Sequence, residues 1–304
     1  MSVLGRRSRA LAVLFTLAVA VLLVHPTAAS AASVRLKVWD FNACDQYGRN
    51  FPDCQITPTQ RASAITQSLT SFSPGVVTLQ EMCHSTFDMV VGSLPPGRVS
   101  YFFSTYTTTD SRCQSVDHTW GIAVLAESAV LTNAQTTLLD TETSGERRTF
   151  LCIDVTVTVG MRACTTHLTS TSQAGAASQA TRAANLVNQW IDANATVVVV
   201  VGGDFNLNVR QCNNTNVASG LSPWYYGTFG HGKVRCYSGT GSMYEADHYR
   251  VGGDGVYDED TLGDSKLDYV FGNRQHANMD FDGDATSSSV SDHDPLRGWL
   301  TVHD

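Results

Sequence analysis

The pattern of apolar and polar residues predicts strands and helices in alternation along most of the chain. Alternating or continuous apolar runs predict strands, and apolar residues at helical spacing predict helices. The predicted strands are residues 34–41, 75–79, 120–127, 148–159, 161–168, 267–272 and 296–302, and the predicted helices are 58–69, 86–91 and 173–193. Strands mixed with helices, including hairpins, predict a layered α/β or α+β sandwich.

A run of five valines at residues 197–201 leads directly into the sequence GGDFN. Because β-branched side chains suit a covered, pleated surface, the run predicts a strand buried on both faces. Asp204 and Asn206 then leave the strand on the same side, near its carboxyl end. Such placement on a rigid element suits a metal or phosphate site. A strand-ending Asx turn is the alternative interpretation of the same residues.

The first 32 residues have the organisation of a secretory signal peptide. Three arginines precede an apolar run at 10–24, and small residues follow as far as Ala32. We therefore expect a secreted, extracellular protein whose mature part, residues 33–304, has no transmembrane segment, because no later segment is apolar for about 18 residues. No repeat, linker or low-complexity tract divides that part, so the prediction is one domain and a monomer.

The mature chain is acidic. Without the three arginines of the signal peptide, 17 basic residues stand against 28 acidic residues, a formal charge of −11. A protein that binds nucleic acid mainly by neutralising phosphates usually carries the opposite sign. The charge therefore argues against a dedicated nucleic-acid binder. It does not exclude a phosphate-processing enzyme, because a bound cation can invert the local field.

All eight cysteines lie in the exported part of the chain, which favours disulfides. Pairing between neighbours in sequence is the simplest prediction. The strongest candidate is Cys152–Cys164, because these two residues flank a predicted hairpin that turns near Gly160. Zinc binding is the alternative, but the sequence contains no C-x-x-C pair. The remaining cysteines are Cys44, Cys54, Cys83, Cys113, Cys212 and Cys236.

Polar side chains recur just after the predicted strands. These residues are Asn42, Glu81, His167, Asp204, Asn206, Asp268, Asp292 and His293. Each has an ordinary structural explanation, such as a turn former, a helix-starting acid or a surface charge. Their shared placement instead indicates that they converge on one site.

The motifs WDFN, QE, THL, GDFN, LDY and SDH occur in this order between Val34 and Leu300. In this combination the chain resembles the endonuclease/exonuclease/phosphatase superfamily, which includes deoxyribonuclease I, abasic-site endonucleases, inositol polyphosphate 5-phosphatases and neutral sphingomyelinases. The resemblance implies a four-layer α/β/β/α sandwich, with the active site at one rim of two packed sheets. Two features differ from the abasic-site endonucleases. Cys44 replaces an acid, and His167 stands where those enzymes have a tyrosine.

The resemblance also implies roles for the residues that match the family motifs. Glu81 would be the main Mg²⁺ ligand, helped by Asn42 and Asp292, with Mn²⁺ or Ca²⁺ as alternative ions. His167 and Asp268 would form a pair that stabilises the phosphate or protonates the leaving group. Asp204 and Asn206 would orient the attacking water and a phosphate oxygen, and His293 would be a base or a phosphate ligand.

The residue types agree with this chemistry independently of the resemblance. Hydrolysis of a phosphate ester needs an in-line water, stabilisation of spread negative charge and a proton for the leaving oxygen. Carboxylate and amide oxygens suit Mg²⁺, and histidine transfers protons near neutral pH. We therefore expect a secreted, metal-dependent phosphodiesterase whose partner is a phosphate-ester substrate.

The choice of substrate depends on the long polar segment after the valine strand. Trp224 and Tyr225 in that segment could stack on bases, which favours an endonuclease acting on DNA or RNA. The same rings could insert at a lipid interface, as in a phospholipase C or sphingomyelinase, or pack as a small core. Arg148 and Arg182 are candidate phosphate contacts. A phosphomonoesterase is a less favoured alternative, and the complete set of polar groups argues against a non-catalytic binding protein.

Overall fold

The computed structural model describes residues 33–45, 52–106, 113, 119–128, 130–142, 145–156, 160–194, 196–211, 214–231, 234–246 and 260–303. Positions 53, 156, 210, 228–231, 234–237 and 277–282 are described by their backbone alone. The signal peptide predicted at 1–32 lies outside the described residues. Residues 33–303 belong to one compact unit.

The strands and helices of the described residues follow one another in mixed order. The strands are β1 (Ser33–Asn42), β2 (Val76–Cys83), β3 (Arg98–Ser104), β4 (Trp120–Glu127), β5 (Leu131–Thr141), β6 (Arg147–Thr156), β7 (Gly160–His167), β8 (Val198–Asp204), β9 (Tyr226–His231), β10 (Val234–Thr240), β11 (Met243–Glu245), β12 (Asp268–Asn273), β13 (Ala277–Ala285) and β14 (Leu296–His303). The helices are α1 (Pro58–Phe72), α2 (His84–Ser93), α3 (Gln173–Ala193) and α4 (Thr215–Leu221). Short 3₁₀ turns occupy Pro52–Cys54 and Val209–Gln211.

Two six-stranded sheets form the centre of the molecule. The first has the order β13-β14-β1-β2-β4-β3 and the second the order β11-β12-β8-β7-β6-β5. Side chains from both sheets form a core between them. A second core joins α1 and α2 to the outer face of the first sheet, and a third joins α3 and α4 to the outer face of the second. The four-layer α/β/β/α sandwich expected from the sequence is confirmed.

Strand β8 is buried on both faces, as the valine run predicts. Val198 and Val200 point into the core between the sheets, whereas Val199 and Val201 pack in the core below α3. This alternation follows from the two-residue period of a strand. Because both faces are filled, the direction in which Asp204 leaves the strand is fixed.

The helix boundaries follow from capping residues. Thr57 caps α1 by accepting from the Gln60 amide, and the Gln60 side chain accepts from the Thr57 amide, which completes a capping box. Helix α3 spans the residues expected from its apolar stripe. The sequence pattern does not predict β5, because most of the residues of this strand are exposed and polar. Among the described residues, no helix is both long and apolar enough to cross a membrane.

Among the described residues there are three disulfides, and each joins cysteines that follow one another in the order of cysteines along the chain. They are Cys44–Cys54, Cys83–Cys113 and Cys152–Cys164. The expected hairpin pair is confirmed, since Cys152 and Cys164 are opposite each other in β6 and β7. The fourth expected pair, Cys212–Cys236, lies outside the described side chains.

Candidate active site

Strand ends from both sheets bring the candidate residues together. In the first sheet, β1 and β2 are parallel neighbours, so Asn42 and Glu81 leave the sheet at the same edge. In the second sheet, Asp204 is the register partner of both His167 on β7 and Asp268 on β12. The side chains predicted from the sequence therefore meet at one rim of the sandwich.

An irregularity in the pairing of β2 sets the direction of the Glu81 side chain. The pairing of β2 with β4 shifts between Leu79 and Met82, and Glu81 has a left-handed φ of 51°. This conformation is uncommon for a residue other than glycine, and such residues cluster at functional sites. The carboxylate reaches the rim, where its residue is 9 % exposed.

Asp204 connects the two sheets through a direct side-chain contact. Asn42 Nδ2 donates to Asp204 Oδ2 at 3.0 Å, while Asn42 Oδ1 accepts from the Cys44 amide at 3.1 Å. The amide nitrogen of Asn206 donates to Asp204 Oδ1 at 2.9 Å, and Asn206 has a φ of 51°. The Asx turn that the sequence offered as an alternative is therefore present, and it lies within the candidate site. The two interpretations of GDFN, a turn and a site, are therefore compatible.

His293 is paired with Asp268, and this corrects one expectation from the sequence. The resemblance implied a His167–Asp268 pair, but His293 Nδ1 lies 2.8 Å from Asp268 Oδ2. The hydroxyl of Ser291 shapes the loop by accepting from the His293 amide and donating to the Asn42 carbonyl. The loop after β13 therefore supplies the histidine that faces Asp268.

The pKa values of this cluster are perturbed. Burial alone would lower the pKa of His293, but Asp268, Asp204 and Asp292 outweigh it and raise the pKa to about 10. Burial, followed by the negative charge of Asp268, raises the pKa of Asp204 to about 7, although His293 and the Asn42 hydrogen bond oppose this shift. The site therefore holds a protonated histidine beside a carboxylate that titrates near neutral pH.

His167 has a different environment from His293. Its Nδ1 lies 3.2 Å from Arg148 Nη1, and its Nε2 lies 3.6 Å from Glu81 Oε1 and 3.5 Å from Asp204 Oδ2. A guanidinium has no acceptor, so Nδ1 must accept this hydrogen bond. His167 is thereby assigned the tautomer that carries its hydrogen on Nε2.

The four residues expected to bind substrate do not form a free binding surface. Arg148 is 4 % exposed and is ion-paired with Glu142 and Glu146. Arg182 bonds the carbonyls of Leu138 and Leu139 and so ties α3 to β5.

Trp224 and Tyr225 are 0 % and 2 % exposed, and their rings pack against Phe271. Neither ring is available to stack on a base or to enter a lipid surface. The small-core interpretation of this aromatic segment is the one that the structure supports.

Two buried charged groups near the site were not singled out in the sequence. Arg61 is fully buried on α1 and pairs with Asp45 at 3.1 Å. The sequence contained a signal for it, since Arg61 precedes Ile65 and Leu69 at helical spacing and so lies on the core-facing stripe. Asp40 is also fully buried, and burial together with the charge of Asp268 raises its pKa well above the ordinary value.

Three groups of side chains among the described residues are candidates for a metal ion. Asp204, Asp268 and His293 offer ligand atoms within 4.8 Å of one another, and His293 Nδ1 already lies 2.8 Å from Asp268 Oδ2. Glu81, Asn42 and Asp292 offer hard oxygen atoms, which fit Mg²⁺ or Mn²⁺. Cys44 and Cys54 lie near Asp292, but their sulfur atoms form a disulfide.

Comparison with known proteins identifies related folds. Residues 41–293 match the model of the Endonuclease/Exonuclease/phosphatase family. The catalytic domain of human Nocturnin with a bound sulfate anion is 16% identical, with a TM-score of 0.62 over 90% of this chain and 97% of that chain. No curated protein matches the chain in sequence.

Two further solved structures have similar folds. A humanized D. rerio TDP2 is 14% identical, with a TM-score of 0.58 over 88% of this chain and 98% of that chain. The mannosyl-6-phosphatase Bt3783 of Bacteroides thetaiotaomicron is 13% identical, with a TM-score of 0.57 over 87% of this chain and 99% of that chain. At such identities the likeness shows the fold alone.

Proposed function

The chain belongs to the endonuclease/exonuclease/phosphatase family, and on this basis we propose that it is a secreted, metal-dependent phosphodiesterase that cleaves DNA or RNA. The observation that carries the proposal is the cluster around Asp204. Asn42, His167, Asp268 and His293 all come from different segments and meet this carboxylate or its direct neighbours. A shared fold would not require such a complete set of polar groups.

The two histidines supply different functions. His293 is protonated at neutral pH and can donate its proton to the leaving oxygen, while Asp268 stabilises the charged ring. His167 carries its hydrogen on Nε2 and can donate to a phosphate oxygen. The leaving oxygen of a phosphate ester needs a proton because an alkoxide leaves poorly, and His293 can supply it.

Asp204 and its neighbours are suited to orient the attacking water. A carboxylate with a pKa near 7 can accept a proton at the working pH, and Asn42 and Asn206 hold it in position. Glu81, with Asn42 and Asp292, would hold the divalent cation. That cation, when bound, neutralises negative charge on the phosphate.

Two observations bear on location and on substrate class. The three disulfides are typical of an oxidising compartment, which supports export. Large exposed apolar side chains among the described residues occur in separate segments, at Val34, Tyr101, Val130, Leu138 and Tyr226. Because Trp224 and Tyr225 are buried, they support neither base stacking nor lipid insertion, and the scattered apolar side chains offer no continuous surface for a lipid.

A substrate panel tests the proposal. The purified protein would be assayed on plasmid DNA, RNA, sphingomyelin, phosphatidylcholine and mannose 6-phosphate, each with Mg²⁺ and with a chelator. We expect cleavage of DNA or RNA that the chelator abolishes. Turnover of a lipid or of the monoester alone would replace the nuclease by a phospholipase C or a phosphatase. No turnover of any substrate with Mg²⁺ or Mn²⁺ would favour a binding protein.

A further inference from the structure

We propose that Arg61, together with the Cys44–Cys54 disulfide, is a positioning group that holds the metal-binding side of the active site in place. The inference rests on the proposed metal-dependent function, because it concerns Asn42, Glu81 and Asp292. It assigns a role to a helix residue and a disulfide that neither carry out the chemistry nor belong to the family motifs described above.

Arg61 makes an unusual set of contacts for a side chain with no exposed surface. Its Nε donates to Asp45 Oδ1 at 3.1 Å, and Nη1 donates to the carbonyls of Ala43, at 2.5 Å, and Val290. Its Nη2 donates to the Cys54 carbonyl at 2.9 Å. The planar guanidinium therefore fixes four oxygen atoms relative to one another.

Three of these acceptors are connected to a residue proposed to bind the metal. Ala43 directly follows Asn42, and Val290 lies two residues before Asp292. Asp45 accepts from the amide of Cys83 at 3.1 Å, and Cys83 lies two residues after Glu81. A single side chain thus joins the three segments that carry the oxygen ligands.

The disulfide extends this arrangement. Cys44 stands two residues after Asn42, and its bond to Cys54 keeps the Cys54 carbonyl within reach of Arg61. The sulfur atoms also lie within 4.8 Å of an Asp292 carboxylate oxygen. The disulfide and the Arg61 guanidinium therefore both lie near Asp292.

The charge of Arg61 allows positioning to be separated from electrostatics. Arg61 interacts electrostatically with both Asp292 and Glu81, so its positive charge opposes the binding of a cation. Removing the charge would strengthen metal binding if electrostatics were its only effect. Removing the contacts would weaken metal binding if Arg61 positions the ligands.

The experiment compares Mn²⁺ affinity by calorimetry in the wild type, Arg61→Met, Arg61→Lys and the Cys44→Ser/Cys54→Ser double variant. We expect the affinity to fall about tenfold or more in all three variants, the usual effect of removing a group that orients metal ligands. Hydrogen exchange of the metal-free proteins is measured in parallel. It should become faster at the amides of Ala43, Asp45 and His293, which are hydrogen-bonded in the wild type.

The matched controls are Arg162→Met and Cys152→Ser/Cys164→Ser. Arg162 pairs with Asp154, and it lies five residues before His167 on β7, roughly 16 Å along the strand. Both controls should lower thermal stability without changing Mn²⁺ affinity or exchange at the three amides. If Arg61→Met does not fold, Arg61→Lys and the disulfide variant decide the question.

Different results would contradict the positioning role of Arg61 and the metal dependence of the protein. Unchanged or tighter Mn²⁺ binding in the Arg61 variants, with unchanged exchange, would overturn the positioning role. A wild type that binds no Mn²⁺ would instead overturn the proposed metal dependence, and the exchange data alone would then decide whether Arg61 holds these segments.

Discussion

At the residue scale, Asp204 illustrates how neighbours set the chemistry of one carboxylate. One oxygen accepts from Asn42 across the two sheets, and the other accepts from the amide of Asn206. Burial and Asp268 raise its pKa to about 7, while the positive charge of His293 limits the rise. A group with an ordinary pKa in solution thereby becomes able to exchange protons near neutral pH.

The His293–Asp268 pair gives the first prediction. We expect His293 in the metal-free wild type to titrate near pH 10, against an ordinary value of 6.5. Because the pKa is raised, the stabilisation is complete below the unfolded value and is lost as the pH rises through about 10. Asp268→Asn should lower the His293 midpoint by about 1 to 3 units, measured by NMR titration. Asp154→Asn serves as a control, and an unchanged midpoint in Asp268→Asn would contradict the pairing.

Glu81 gives the second prediction. Glu81→Gln keeps the size of the side chain but removes the charge that a divalent cation requires. We expect metal-dependent hydrolysis to fall by about 100-fold or more, since metal stabilisation of phosphate charge amounts to several kcal/mol. Circular dichroism should show a folded protein. The exposed residue Glu127 offers a matched control, and full activity in Glu81→Gln would remove Glu81 from the metal site.

At the element scale, β8 both fills the core and lets the sheets approach. A Cβ on Gly202 would lie 2.2 Å from Thr78 Oγ1 and 3.0 Å from Asp40 Oδ1, both on the facing sheet. Thr78 and Gln80 donate to the same Asp40 oxygen, and Gln80 also bonds Thr165 across the interface. A polar network therefore lies directly behind the site, where glycine makes room for it.

Gly202 gives the third prediction. Gly202→Ala should destabilise the protein by about 1 to 3 kcal/mol, because the methyl group overpacks the contact between the sheets. Gly160→Ala is the control, since a Cβ there meets nothing within 4 Å, and its effect should stay within about 0.5 kcal/mol. Urea unfolding measures both values. Equal stabilities for the two variants would show that the sheets can move apart without cost.

At the scale of the whole molecule, the disulfides among the described residues close loops of different length. Cys83–Cys113 spans a sequence separation of 30 residues, whereas Cys152–Cys164 spans 12. In the chain-entropy description, a longer closed loop restricts the unfolded chain more. The two bonds should therefore contribute unequally to stability.

The fourth prediction follows from this difference. Cys83→Ser/Cys113→Ser should lower the free energy of unfolding by about 3.7 kcal/mol, and Cys152→Ser/Cys164→Ser by about 3 kcal/mol. Denaturant unfolding of the two double variants beside the wild type gives both values. A larger loss for the shorter loop would mean that local packing around Cys152 and Cys164 dominates over loop entropy.

The sequence by itself determined the layered sandwich, most strands and helices, and the residues at the strand ends. These features depend on local periodicity and capping, as in the valine strand and the Thr57 cap, so neighbouring residues suffice to specify them. The tertiary structure decided which groups face each other. In the folded protein, Asp268 pairs with His293 rather than His167, and Arg148 contacts His167. Trp224 and Tyr225 are buried. Arg61 contacts the segments that carry Asn42 and Asp292. These contacts join residues distant in the chain, and their geometry depends on how the two sheets pack.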